Sequence, residues 1–221
     1  MRTYNFLTLI FVLLSVGCGL DNFDEPKSLL QGKIVFQNRQ VGLRGTGGAV
    51  QLQLYQEGYD LNDHINVYVN QKGEFQALLF DGTYKLITRD KNGPWVNSRD
   101  TTFVDVMGNT PVIVEVVPFF MFKEFDVSVS QGSVNVSAEI ERIVDDAEIE
   151  FVSVLLSETS FVDDVSNIYR KDLTSLDSLN FDYMDDISSV LEDTGHSLFA
   201  RVGIRAVGAD QSIYSDIVQI K

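Results

Sequence analysis

The residues best suited to chemistry fall in one short segment, Arg89-Asp90-Lys91-Asn92-Gly93-Pro94-Trp95-Val96-Asn97. Trp95 is the chain's only tryptophan. An indole offers an apolar face on which the C–H surface of a sugar can stack. Around it, Asp90, Asn92, Asn97 and Arg99 supply the carboxylate, amide and guanidinium groups that bind hydroxyls. The segment is therefore a candidate glycan contact. A large amphipathic ring serves equally well folded over the end of a β-sandwich or buried in a seam between domains, and both readings stand at this point.

Other chemistry finds less to build on. The acidic pairs Asp145-Asp146, Asp163-Asp164 and Asp185-Asp186 have the residue types of a glycosidase dyad. With 32 Asp and Glu in the chain, such neighbours arise from composition, and solvated faces account for them. His64 and His196 lie in no catalytic pattern, and G-x-S-x-G, H-E-x-x-H and P-loop motifs are absent. Gly42, Gly45, Gly47 and Gly48 lack the strand-to-helix setting of a phosphate cradle and read as a connection between strands. Residues 180–186 are rich in oxygen ligands but lack the glycine and distal glutamate of a calcium loop. A lone cysteine excludes a disulfide framework and a Cys-cluster zinc site. The expectation is a non-enzyme with no cofactor and no metal. The formal charge of −15 argues against a nucleic-acid partner, since phosphate binding needs a basic face.

The first residues address the chain to a compartment. Arg2 precedes the apolar run from Phe6 to Leu14, small residues follow, and then comes Cys18. The run is too short to span a bilayer comfortably and suits a cleaved signal peptide. Residues 15–18, Ser15-Val16-Gly17-Cys18, resemble a lipobox, with Ser15 where Leu is usual. That resemblance makes Cys18 the lipid-attachment residue and residues 1–17 a lipoprotein signal. Removing Arg2 then leaves 16 basic against 32 acidic residues, a charge of −16. Residues 18–28, polar and proline-containing, form an acidic tether. Their acid cluster resembles the export signal of Bacteroidetes surface lipoproteins, which implies an outer-membrane protein facing the cell exterior.

The elements that must position these groups are strands. From residue 29 the chain alternates apolar and polar residues in short runs broken by Gly, Asn and Asp turns. Seven runs are predicted within residues 29–117, and five more after the apolar stretch Pro118-Phe119-Phe120-Met121-Phe122, which reads as a domain junction. The spacing predicts an all-β chain of two consecutive β-sandwich domains, residues 29–117 and 118–221. Residues 160–197 are the exception: Leu173, Leu176 and Leu179, with Ile187, Val190 and Leu191, predict a short helical insertion.

Family resemblances sharpen this picture. Gly32-x-Ile34-Val35, Asn70-x-x-Gly73-x-Phe75 and Asp81-Gly82-Thr83-Tyr84 resemble the carboxypeptidase regulatory-like, or transthyretin-like, sandwich, which implies that Tyr84 packs inward. Arg205-Ala206-Val207 and Tyr214-Ser215-Asp216-Ile217-Val218 resemble the last hairpin of a fibronectin type III domain. Ala138 and Ala200 stand where that family has its strand-B tryptophan and corner tyrosine. Over its whole length the chain resembles a Bacteroidetes lipoprotein family of unknown function encoded beside SusC/SusD-type glycan-uptake pairs. Residues 22–28, Gly58-Tyr59, Asp81 to Leu86 and Asn92-Gly93-Pro94-Trp95-Val96 carry that likeness. It implies an accessory role in polysaccharide capture at the cell surface, with a spacer or docking subunit of a SusC/SusD-type complex as the alternative.

Overall fold

The computed structural model describes residues 24–56, 58, 63–174, 176, 178–193, 195 and 197–221. Cys18, most of the tether, Tyr59 and His196 lie outside these residues.

Two sheets form the first sandwich. In one, β1 (Ser28–Phe36) is central. It pairs antiparallel with β2 (Arg39–Gln40) and β5 (Glu74–Leu79), and parallel with β8 (Asn109–Glu115). The other sheet runs β4-β3-β6-β7, from β3 (Gln51–Gln56), β4 (Ile65–Tyr68), β6 (Gly82–Thr88) and β7 (Thr101–Val106). A parallel pair needs a long crossover, and here the whole second sheet supplies it. Alternation decides the faces: Leu52, Leu54, Tyr84, Leu86, Val104 and Val106 are buried, while Gln53, Lys85 and Phe103 between them turn outward. Tyr84 packs inward and donates its hydroxyl to the Phe80 carbonyl at 2.9 Å. The β4–β5 turn is set by Asn70, whose Oδ1 accepts from the amides of Lys72 and Glu74. Gly73 there has φ +71°, and a β-carbon would sit 2.5 Å from the Val41 carbonyl, so no side chain fits.

The second sandwich sets β9 (Phe120–Ser130), β10 (Ser133–Arg142) and β13 (Asn180–Asp186) against a sheet of order β12-β11-β14-β15. The latter contains β11 (Ile149–Ser157), β12 (Tyr169–Leu173), β14 (Phe199–Ala206) and β15 (Ile213–Tyr214). A last strand, β16 (Val218–Gln219), pairs with the start of β14. Of the short helical insertion expected within residues 160–197, the second half forms: Ser188–Asp193 is helical (α1) and carries Val190 and Leu191. The first half is corrected: Leu173 ends an edge strand, and Leu176 and Leu179 lie between β12 and β13. The edge strands β12 and β13 are joined by the Tyr169 hydroxyl, which donates to Asp185 at 2.6 Å and lies 2.9 Å from the Tyr183 hydroxyl; within β13, Tyr183 donates to the same carboxylate at 2.8 Å. Burial, followed by the bond to Asp185, pushes the Tyr169 phenol up.

One apolar core runs through both sandwiches, from Leu30 and Leu52 past Trp95 and Phe120 to Val152 and Ile204. The joint is fixed by Arg201 of β14, only 1% exposed. Its Nε donates to the Ser215 carbonyl at 3.0 Å and its Nη1 to those of Leu43 and Val162 at 2.9 and 3.1 Å. Nη2 donates to the Gln71 carbonyl at 2.8 Å, so two of the four acceptors belong to the first sandwich. The guanidinium also lies over the Tyr214 ring, 4.5 Å from its centroid. Burial pushes the Arg201 pKa down to about 10, which leaves it charged at neutral pH. Beside it, the Thr46 amide and hydroxyl donate to Asp163.

Candidate glycan-binding groove

Trp95 does not face solvent. Its side chain is 5% exposed and belongs to the core, so it offers no face to a sugar, and the stacking role expected for it is corrected. Two stitches pull segment 94–96 against the connection between sandwiches: Val96 N–H to the Val117 carbonyl at 2.9 Å and Phe119 N–H to that of Pro94 at 3.1 Å. Gly93 lies directly against the indole, where a β-carbon would be 2.2 Å from the ring. The neighbouring polar groups are likewise spent on structure. Asn92 accepts from the Gln51 amide and donates to the Ala49 carbonyl, both at 2.7 Å. Asn97 accepts from the Lys91 amide at 3.0 Å, and Asp90 and Arg99 form an exposed ion pair at 3.1 Å. The segment is a structural clamp.

Nor do the acidic pairs converge. Asp163 is held by Thr46 and by the amides of Val165 and Ser166 in its own turn. Burial raises its pKa and these bonds lower it, with a net shift downward. Asp164 accepts from the Tyr214 hydroxyl at 3.0 Å. Asp186 accepts from the Ser188 amide at the start of α1, and Asp145 and Asp146 are exposed in a turn.

The groups suited to a ligand lie elsewhere, on the outer face of the β5-β1-β8 sheet. An open groove of about 940 Å³ is lined there by side chains that the strand register sets in rows. Gln76, Gln31 and Pro111 form one row, and Glu74, Lys33 and Ile113 the next. At its margin Tyr68, the last residue of β4, is 58% exposed. Lys33 Nζ lies 3.1 Å from Glu74 Oε1, and Asn70 Nδ2 donates to Glu74 Oε2 at 3.3 Å. The Lys33 bond, then that from Asn70, holds the Glu74 carboxyl below its ordinary range. Among the described residues, the amides of Gln31 and Gln76 have no side-chain hydrogen bond. An aromatic face beside two free amides and a neutralised charge pair suits a polyhydroxylated, uncharged ring. The sequence carries one signal for this site: the alternation Asn66-Val67-Tyr68-Val69 places Tyr68 opposite the buried valines.

The strands thus define a two-domain all-β protein with a polar, aromatic-edged groove on its first sandwich. Comparison with known proteins names the class. The N-terminal domain described as "protein of unknown function (DUF3823)" matches residues 28–117, and the C-terminal domain of the same family, DUF3823_C, matches residues 120–219. A crystal structure of a DUF3823 family protein from Parabacteroides merdae is 48% identical, with a TM-score of 0.86 over 90% of this chain and 100% of its own. The chain belongs to the DUF3823 family. A second member, from Bacteroides ovatus, is 29% identical with a TM-score of 0.79 over 88% of this chain and 98% of its own. A Bacteroides uniformis structure, named for a proposed carbohydrate-binding role, shares the fold at 16% identity, with a TM-score of 0.74 over 89% of this chain and 99% of its own. No curated protein matches the chain.

Proposed function

We propose that this protein is a lipid-anchored, cell-surface accessory of the outer membrane that binds glycan without cleaving it and presents it to a SusC/SusD-type uptake complex. The observation that carries the binding part is the groove at Tyr68, with its two free amides and its neutralised Lys33–Glu74 pair. The Bacteroides uniformis relative's name supports the same ligand class. Among the described residues, Glu74 is the one carboxylate lining the groove, whereas glycoside hydrolysis uses a pair; this supports a role without catalysis. The lipobox-like Cys18 supports the anchor. The transthyretin-like and fibronectin-like fold names are part of this proposal. The packing of a three-stranded sheet on one of five, whose last two strands β15 and β16 are short and both pair with β14, supports the latter. A spacer role without sugar contact is favoured by a different observation, the joint at Arg201, which fixes one sandwich on the other.

Two variants test the parts separately. Tyr68→Ala is expected to weaken binding to retained glycans by about tenfold, the worth of one stacked ring, with the melting temperature unchanged because the ring is exposed. Affinity electrophoresis measures it; wild-type protein that no glycan retards would leave the spacer reading. Cys18→Ala should move the protein from the membrane pellet to the soluble fraction, since acyl chains supply most of the membrane affinity. A variant that still sediments with membranes overturns the anchor.

A further inference from the structure

The outer face of the second sheet of the first sandwich carries aromatic groups that the groove does not use. Tyr55, Lys85 and Phe103 stand directly opposite one another on β3, β6 and β7. Phe103 is 66% exposed. Lys85 Nζ stands over its ring, 5.7 Å from the centroid, which steadies it. In the adjoining row, Asn66, Gln53, Ile87 and Thr101 follow one another across all four strands, polar except for Ile87. Among the described residues, the amides of Asn66 and Gln53 have no side-chain hydrogen bond.

This face is continuous with the groove through one residue. Tyr68 lines the groove, and it also pairs with Gln51 of β3, which places it at the edge of the same face. Tyr55 and Phe103 are two strands apart, about 9.6 Å at the backbone, close to the span of two pyranose rings in an extended chain. A small sugar would need one aromatic contact; three of them, at the edge and across one face, suit a long ligand.

We propose, resting on the groove reading above, that the ligand is an extended polysaccharide chain that leaves the groove at Tyr68 and continues over the Tyr55–Lys85–Phe103 row. Hydroxyls along the chain meet the amides of Asn66 and Gln53, and the ring faces meet Tyr55 and Phe103. The groove alone would be filled by a short oligosaccharide. The second face makes affinity grow with length, by roughly three- to tenfold for each ring engaged.

The test is calorimetric titration of the full chain with β-1,4-linked gluco-, xylo- and manno-oligosaccharides from the disaccharide upward, then with the parent polysaccharides. Wild-type affinity is expected to rise about tenfold or more from the short to the long members of the series that binds. Phe103→Ala and Tyr55→Ala should flatten that rise and leave disaccharide affinity as in wild type, whereas Tyr68→Ala should weaken both. Melting temperatures serve as the folding control, and Phe103→Tyr should restore the rise. Affinity independent of length in wild type, or a rise that survives both alanine variants, overturns the extended-chain proposal and leaves the groove reading standing. Wild-type protein that binds no member of any series overturns both.

Discussion

Arg201→Met is expected to lower the melting temperature by roughly 10 °C and to loosen one sandwich from the other. The methionine fills much of the space but donates nothing, so the carbonyls of Leu43, Gln71, Val162 and Ser215 lose their shared partner. A stranded buried acceptor costs about 1–3 kcal/mol. Gln71 keeps the Leu43 amide as a donor; with water or local adjustment satisfying one of the other three, about 3–4 kcal/mol is lost, and each kcal/mol moves the midpoint of a domain this size by about 2–4 °C. Removing the guanidinium also relieves the cost of burying a charge, which keeps the figure from being larger. Differential scanning calorimetry checks it, with a broadened or split transition as the sign of uncoupled sandwiches. A single sharp transition at the wild-type temperature would show that the apolar core alone holds the joint. Arg201→Lys should fall between the two, since an ammonium cannot reach four divergent carbonyls.

Trp95→Ala is expected to be comparably damaging. Emptying the space of a buried indole costs about 3–5 kcal/mol, again on the order of 10 °C. The site is poorly able to collapse, because the backbone on either side is bonded to Val117 and Phe119 and Gly93 provides no side chain to move in. Trp95→Phe should recover part of the loss. Glycan retention, measured well below the lowered midpoint, should remain at the wild-type level. A Trp95→Ala protein that melts normally and loses glycan would return the site to the indole.

The sequence and the structure agree wherever one sheet face is buried and the other wet, because alternation then reports the environment directly. Gln51-Leu52-Gln53-Leu54-Tyr55 and Thr83-Tyr84-Lys85-Leu86-Ile87 are strands for that reason. β12 and β13 escaped because their residues break that rule. Tyr-Arg-Lys-Asp-Leu at an edge exposes both faces, and in β13 an inward-turned Asp185 is satisfied by two tyrosine hydroxyls that lie far from it or beside it in sequence. The leucine spacing there imitates a helix while its members serve a strand end and a connection between strands. At the level of function, Trp95 drew weight as the single tryptophan with polar neighbours, yet Asn92 and Asn97 bond backbone groups and Asp90 and Arg99 pair with each other. Tyr68 looked like one more member of a strand. Arg201 gave no signal either, since a lone arginine on a strand reads as a wet face, and its cover comes from segments distant in sequence: Leu43 and Gln71 of the first sandwich, Val162 and Tyr214 of its own.

The direction in which β1 runs has a mechanical consequence. The strand begins at Ser28, where the N-terminal segment enters the fold, and it is bonded along both sides. On the β8 side the two strands run in parallel over seven paired positions, Leu29 with Asn109 through Val35 with Glu115. A force applied through the N-terminal segment therefore acts along the strand and loads those pairs together, as a shear, rather than peeling them one after another. Wherever the fold is loaded through that end, the entry strand is the element that resists.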